Sequence, residues 1–522
     1  MGHASQAYLF HLEPDKSVTL QAQLRRRLVA AILDGQIPAG SALPSCRSLA
    51  RNLKIARNTV VLTYQDLVEE GYLVSRQRSG FFVNPDILRN QAGRSSKQNG
   101  VAPAAHTDDG TLTARLAQAG ELRENELSTS GRPDWASRLK LTPSRQRSIV
   151  KPQNWADQPY PFIYGQVDQH IFPLSAWREC SRQALSIDSV RDWSKDRFTE
   201  DDPMLVEQIR TRLLPRRGVL VGADEILVTV GAQNALYLLM NLLFSSQTRF
   251  GIEDPGYTDA RNIAALQTER IIGLDVDARG LVVDEQLGGC DYVYATPSHQ
   301  FPTTVTMSLD RRRALLEAAR RQDFIVIEDD YESEIAHTGT PQPALKSLDS
   351  HERVIFVASL SKTLAPGLRL GYMVGPKQLI REARALRRLM LRHPAANNQR
   401  TIALFLADGH YDGLLRRLCH IYRDRLQEAS AALARHLPDF TVNATAGGSA
   451  LWIKGPPQLD MTKVEAAALA QGIVIESGSV HFHRPGEHAR YFRLGVSSIP
   501  IERIEPGIQL LAQIIREKLG RS

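Results

Sequence analysis

Lys362 stands alone among Ser, Gly, Leu and Pro in ASLSKTLAPGLRLGY (358–372), with Arg369 seven positions further on. A lysine in such a stretch is either ordinary surface or the amine that condenses with a carbonyl. An aromatic aldehyde phosphate held by that amine makes further demands. A carboxylate must keep the ring nitrogen protonated, and donors must cover the phosphate, preferably at a helix N-terminus; an aromatic side chain should cover the ring face. The chain carries residues for each. Asp329 and Tyr331 close the apolar run IVIEDDY, while Gly231, Ala232 and Gln233 follow EILVTV and open a helix. Ser359, Ser361 and Arg369 bracket the lysine, and Tyr257 lies in EDPGY, placed to stack on the ring. Each of these alone is commonplace; their ordered recurrence is the signal.

The elements that must position them follow from the pattern after about residue 155. Short apolar runs alternate with helical stretches: EILVTVG then AQNALYLLMNLLF, TRFGIEDPGY then TDARNIAALQ, CDYVYATPS then LDRRRALLEAARRQ, FIVIEDDY, and RVIFVASLS. β-Branched runs separated by helices predict a mostly parallel sheet covered on both faces. The residues above then project from the carboxyl ends of strands, where open α/β sheets place ligands. A helix over 415–436, the strand ALWIKG, a helix over 462–471, GIVIESG and YFRLGVSSI predict a smaller α+β subdomain at the end.

The first eighty residues have a different texture. Leu24, Leu28, Ala31 and Ile32 share one helical face, and SCRSLARNL reads as a short helix capped by Ser45. A third helix begins at Arg57-Asn58-Thr59, and YLVSRQRSGFFV predicts a hairpin whose tip carries Arg76, Arg78 and Gly80. Two short helices joined by a tight turn, the second with polar and basic residues at its start, suit the major groove, and a basic hairpin tip suits a wing on phosphate or minor groove. A small helical protein-interaction domain is the competing reading.

Composition sets bounds. A chain of 522 residues with 43% apolar and 23% charged residues predicts two or three globular domains. No run of eighteen apolar residues and no basic-then-apolar leader occurs, so neither a membrane span nor a secretory signal is expected. Cys46, Cys180, Cys290 and Cys419 form no CxxC pair, so neither a zinc site nor a disulfide framework is expected, and a cytoplasmic protein with reduced thiols is. The net charge is +7, and residues 1–90 hold 11 Lys/Arg against 7 Asp/Glu, an excess of 4. That asymmetry is compatible with a polyanion partner.

The stretch LPSCRSLA through ARNTVVLTYQDLVEEGYLVSRQRSGFFV resembles the winged helix-turn-helix of the GntR regulators across nearly all of residues 17–83. The resemblance implies Arg47, Arg57, Thr59 and Gly80 at double-stranded DNA. GAQNAL, EDPGY, TPSHQFPT, EDDY, SLSKTLAPGLRLGY and FRLGVSS resemble the fold-type I aminotransferases over about 155–520. This implies pyridoxal 5'-phosphate as cofactor, Lys362 as its imine-forming amine, Asp329 on the ring nitrogen, Tyr331 on the ring hydroxyl, and Arg493 on the acid group of an amino-compound effector. Together the two resemble the MocR (GabR-type) subfamily. The implied division is a winged helix-turn-helix at 1–84, a flexible linker with a short helix near its end at 85–150, and an aminotransferase-like domain at 151–522.

Two departures stand out. Catalytic relatives carry Asn where this chain has Phe301, with His299 or Gln300 as candidate substitutes, and a Tyr that reaches the partner subunit's phosphate is missing from WSKDRFTEDDPMLVEQIRTRL. The pair His481 and His483 is expected in a mobile polar loop, not at a metal. The whole reads as a homodimeric, pyridoxal-phosphate-dependent regulator with at most residual transaminase activity. A working aminotransferase with an accessory DNA-binding domain, or a regulator of vitamin B6 supply that senses the cofactor itself, are the alternatives.

Overall fold

The computed structural model describes residues 20–33, 36–69, 72–76, 80–85, 133–197, 199–337, 342–443, 446–484 and 488–520. Arg78 and most of the expected linker lie outside them. Two compact units result, Met1–Pro133 and Asp134–Ser522, so residues 134–150 of the expected linker belong to the second.

In the first unit the helices Leu20–Leu33, Cys46–Leu53 and Arg57–Glu69 precede the antiparallel pair Leu73–Arg76 and Gly80–Val83. Leu24, Leu28, Ala31 and Ile32 are buried against Leu49, Val60, Tyr64, Leu67 and Val83, as their spacing on one helical face requires. Ser45 Oγ accepts the Ser48 N–H at 3.2 Å, a cap worth about 1 kcal/mol. Lys54 ends that helix in the left-handed region, at φ 56°. The Tyr64 hydroxyl donates to Pro44 O at 3.0 Å, tying the third helix to the entry of the second.

The second unit is built on an eight-stranded sheet. In spatial order the strands are Ile226–Thr229, Gly371–Val374, Val354–Ser359, Ile325–Asp330, Tyr292–Ala295, Phe250–Asp254, Ile271–Asp277 and Gly280–Leu281. Those from Val354–Ser359 to Ile271–Asp277 are parallel, and Gly371–Val374 runs antiparallel to both of its neighbours. Val354–Ser359 is buried along its whole length, as an apolar run between helical layers must be.

The smaller subdomain has the antiparallel order Thr441–Val442, Ala450–Lys454, Tyr491–Gly495, Glu476–Ser477. Its core joins Leu451, Ile453, Phe492 and Leu494 to Leu433 and Leu511 of the helices His410–His436 and Ile504–Gly520. GIVIESG is not one strand. Ile473–Val474 pairs in parallel with Tyr160–Pro161, while Glu476–Ser477 pairs with Tyr491–Gly495. No described helix is long and apolar enough to cross a membrane.

Candidate functional site

Adjacent parallel strands deliver the acid and the amine to one place. Asp329, near the carboxyl end of Ile325–Asp330, is in register with Val357, and Lys362 follows the end of that neighbouring strand by three residues. Lys362, Asp329, Tyr331, Tyr257, Ala232, Gln233, Ser359, Ser361 and Arg369 all line a single cavity of about 190 Å³. Tyr164, Tyr294, Phe301 and Pro366 complete the lining.

At the acid end Asp329 is buried, and its Oδ2 accepts the Tyr294 hydroxyl at 2.7 Å. Its Oδ1 has no partner, and neither has the buried Tyr331 hydroxyl. Burial pushes the Asp329 carboxyl up to about 7 despite the bond from Tyr294. A cationic N–H placed at Oδ1 would stabilise the charged form.

The opposite end is an anion cradle. Gly231 precedes the helix Ala232–Leu243 at φ 82°, which favours glycine, and a Cβ there would lie 3.2 Å from Arg369 Nη2. Arg369 Nη2 donates to Val230 O at 3.2 Å. Ser359 Oγ accepts the Ser361 N–H at 3.2 Å, and the buried Ser361 Oγ has no partner. Free helix N–H groups, a guanidinium and hydroxyls are the donors a phosphate requires. Tyr257 sets its ring edge-on to Phe301, centroids 5.2 Å apart, and its hydroxyl donates to Asp259 at 3.3 Å.

Lys362 Nζ lies 4.4 Å from the centre of the Tyr164 ring. Burial first, then the Lys151 and Arg493 charges, lower its pKa to about 8, with Glu332 and Glu476 opposing. A neutral amine is the nucleophile. Capture of pyridoxal phosphate by Lys362 is therefore expected to rise about ninefold between pH 6 and 7 and less than about twofold between pH 8 and 9. Stopped-flow absorbance across that range checks this; a rate still climbing nearly tenfold between pH 8 and 9 would belong to an ordinary exposed lysine.

Arg493 is fully buried, its Cζ 3.5 Å from the centre of the Tyr164 ring and 4.2 Å from that of Phe301. None of its guanidinium nitrogens has a hydrogen-bond partner. Phe301 thus supplies a cation–π face where catalytic relatives carry an amide. Of the two expected substitutes, Gln300 is not free to act as that amide. Gln300 Nε2 donates to Pro255 O and Phe301 O at 2.9 and 2.8 Å, and its oxygen accepts the Thr303 N–H at 2.9 Å. His299 is buried, lowered to about 3 chiefly by burial, and its partnerless Nε2 lies 3.8 Å from Glu332 Oε2.

One sequence expectation is corrected. His481 is buried at the end of the turn Gly478–His481, not in a mobile loop, because its Nε2 donates at 2.9 Å to Glu476, a buried carboxylate that needs a partner. His483 is exposed, and its N–H donates to Asp254 at 2.9 Å. Sequence reasoning also missed Tyr294, Tyr164, Gly165, Lys151 and Glu332. The Tyr164-Gly165 pair in FIYGQVD was the one local signal available, an aromatic beside a residue that tolerates positive φ.

In the first unit Arg47, Arg57 and Asn58 are exposed and Thr59 is half-buried at the start of the third helix. Arg76 lies 4.5 Å from the centre of the Phe82 ring, and Gly80 sits at φ 99° with open space around it.

Residues 20–83 match the bacterial regulatory proteins of the gntR family, and residues 199–511 match aminotransferase class I and II. The chain is 38% identical over 507 residues to the HTH-type transcriptional regulator TauR of Rhodobacter capsulatus, covering 97% of this chain and 99% of that one. It is 30% identical over 504 residues to the probable rhizopine catabolism regulatory protein MocR of Rhizobium meliloti, covering 96% and 94%. The chain belongs to the MocR-type transcriptional regulators of the GntR family.

This regulator's second unit shares its fold with the multiple substrate aminotransferase of Thermococcus profundus, with a TM-score of 0.65 and 25% identity over 75% of this chain and 98% of that one. The aminotransferase class I and II fold is a pyridoxal-phosphate-dependent one, and a GntR domain is a DNA-binding one. The cavity of the regulator fits that cofactor chemically. A partnerless carboxylate oxygen, phenol, hydroxyl and guanidinium surround an amine of lowered pKa.

Proposed function

We propose that the regulator holds pyridoxal 5'-phosphate in this cavity, reads there an amino compound that carries an acidic group, and thereby changes how its first unit engages an operator in double-stranded DNA. The observation that carries this reading is the set of buried polar atoms without partners around one cavity. They are Asp329 Oδ1, Tyr331 OH and Ser361 Oγ on its lining, and the Arg493 guanidinium packed on the lining rings Tyr164 and Phe301. A buried polar group left unpaired costs about 1–3 kcal/mol, a cost that a ligand in the cavity would relieve for these atoms.

When bound, the cofactor supplies an aldehyde that condenses with an amine and releases water. Lys362 is the protein amine, and burial and neighbouring cations bring its pKa down to about 8, so that a large share is neutral there. Asp329 holds the proton of the ring nitrogen at Oδ1, and Tyr331 bonds the ring hydroxyl. Ser359, Ser361, Arg369 and the N–H groups of Ala232 and Gln233 hold the phosphate, and Tyr257 shields the ring. Arg493 binds the acid of the incoming compound, whose amine competes with that of Lys362 for the aldehyde. The DNA contacts fall to Arg47, Arg57, Asn58, Thr59, Arg76, Arg78 and Gly80. A cytoplasmic homodimer, in which occupied sites shift the relative placement of two DNA-binding units, completes the reading.

The test is the near-ultraviolet and visible spectrum of wild type and Lys362→Ala with added pyridoxal phosphate, titrated with a panel of amino compounds. A band that Lys362→Ala lacks entirely, moved by one compound with no keto acid accumulating, is the expected result. Absence of the band in wild type removes the reading. Keto acid formed with turnover replaces it by the second one, an aminotransferase with an accessory DNA-binding domain. The partnerless Asp329 Oδ1 favours that alternative, because a protonated ring nitrogen serves electron withdrawal; Phe301, which donates no hydrogen bond, opposes it.

A further inference from the structure

The segment Pro143–Lys151 runs beside the cavity like a strap. Pro143, Gln146 and Ser148 line a groove of about 570 Å³ that shares Gln233 and Arg369 with the anion cradle. Gln146 Nε2 donates to Asn262 O at 2.9 Å, and Asn262 Nδ2 donates to Arg147 O at 2.6 Å. Arg147 donates to Phe482 O and His483 O at 3.2 and 3.0 Å. Ile149 packs against the cluster of Tyr164, Phe301 and Tyr331, which lines the cavity. Lys151 Nζ then donates to Tyr164 O at 2.6 Å and lies 6.0 Å from the centre of the ring that also faces Lys362 and Arg493.

We infer that Lys151 joins Arg493 in binding the acidic group of the amino compound, so that the strap feels directly whether the site is filled. This rests on the function proposed above and adds to it a second acid-binding residue on a segment outside the matched aminotransferase region.

The charge arrangement supports it. Lys151 and Arg493 act on each other electrostatically, and each also feels Glu476. Yet the carboxylates nearby are engaged elsewhere. Glu476 accepts His481, Glu332 accepts Ser449 at 2.6 Å, and Asp259 accepts Tyr257 and Gln233. Neither Lys151 nor Arg493 has an ion pair among the described residues, and Lys151 donates to a neutral carbonyl, that of Tyr164. Two cations that face one ring, neither in an ion pair of its own among the described residues although both feel Glu476, can take the oxygens of an anion. An acid seated there bridges the small-subdomain strand Tyr491–Gly495 to the strap. From the strap the chain continues upstream through residues 86–132 to the DNA-binding unit. The effector's charge therefore acts on the tether itself, as a coupling mechanism requires.

The experiment uses the full chain loaded with pyridoxal phosphate and two probes that differ only in the acid, 4-aminobutyrate and n-butylamine. The midpoint of the shift in the Lys362-dependent band is measured for each. Wild type is expected to respond to 4-aminobutyrate at a concentration at least tenfold below that for n-butylamine. Lys151→Met, which keeps the apolar stem, should cut that preference at least fivefold, and Lys151→Arg should restore most of it. Amide hydrogen exchange in 143–151 should slow on adding 4-aminobutyrate to wild type but not to Lys151→Met. An undiminished preference in Lys151→Met overturns the inference, as does equal loss in Lys151→Arg, which would make the lysine a prop for Tyr164 O. Equal midpoints in wild type overturn it too. A wild type with no Lys362-dependent band at all fails at the proposed function, and the inference falls with it.

Discussion

Asp329→Asn is expected to weaken pyridoxal phosphate binding by about 10- to 150-fold, the worth of about 1.5–3 kcal/mol for a buried hydrogen bond to a charged group. The carboxylate is buried, with Oδ2 committed to Tyr294 and Oδ1 free. Asn retains an acceptor for Tyr294 but turns its NH₂ toward the ring nitrogen, where two donors now face each other or the ring loses its proton. The cofactor-free fold should not suffer. Asp329 has a raised pKa, near 7, so its charged form is disfavoured in the folded state and costs stability as the pH rises above the ordinary carboxylate range through 7. Asn removes that cost, and Tm of the cofactor-free protein at pH 8 should hold or rise. A cofactor titration and a thermal melt on the same sample check both halves. Unchanged affinity would mean that Oδ1 does not meet the ring nitrogen.

Gly165→Ala is expected to slow or weaken capture of pyridoxal phosphate by at least about 100-fold, through geometry rather than charge. Gly165 sits at φ 74°, and a Cβ there would lie 2.3 Å from Lys362 Nζ, well inside contact distance. The methyl would occupy the space the amine holds, forcing Nζ out of its position. Positive φ adds a backbone cost of about 1–2 kcal/mol. Gly409→Ala separates the two effects. That glycine has φ 75° and nothing within 4 Å of the position a Cβ would take. Both variants should lose a comparable few degrees of Tm, and only Gly165→Ala should lose the Lys362-dependent band. Equal loss of the band in both would assign the effect to general destabilisation.

Residues that act within a few positions of a strand end were legible from the chain alone. Asp329, Tyr331, Ser359, Ser361 and Lys362 follow apolar runs, and the alternation of those runs with helices predicted their convergence. The helix start at Gly231 was readable for the same reason, since a glycine just after an apolar strand marks a turn into a helix with free N–H groups. Ser45 and the apolar face of the first helix were equally local, and both hold in the structure. How GIVIESG pairs was not legible, because it divides between two partners, Tyr160–Pro161 and Tyr491–Gly495, that no period-two pattern specifies.

By itself the sequence determined the order of the two units, the strand-end chemistry around Lys362 and the presence of a basic helical module before it. These are properties of local pattern, and hydrophobic periodicity carries them. Only the tertiary structure decided what surrounds the effector end: Arg493 clasped between Tyr164 and Phe301, His481 spent on Glu476, and Lys151 brought over Tyr164 by a segment that reads as linker. Whether a cation is free or already paired depends on which distant carboxylates folding has engaged, and on burial that removes water as the alternative partner.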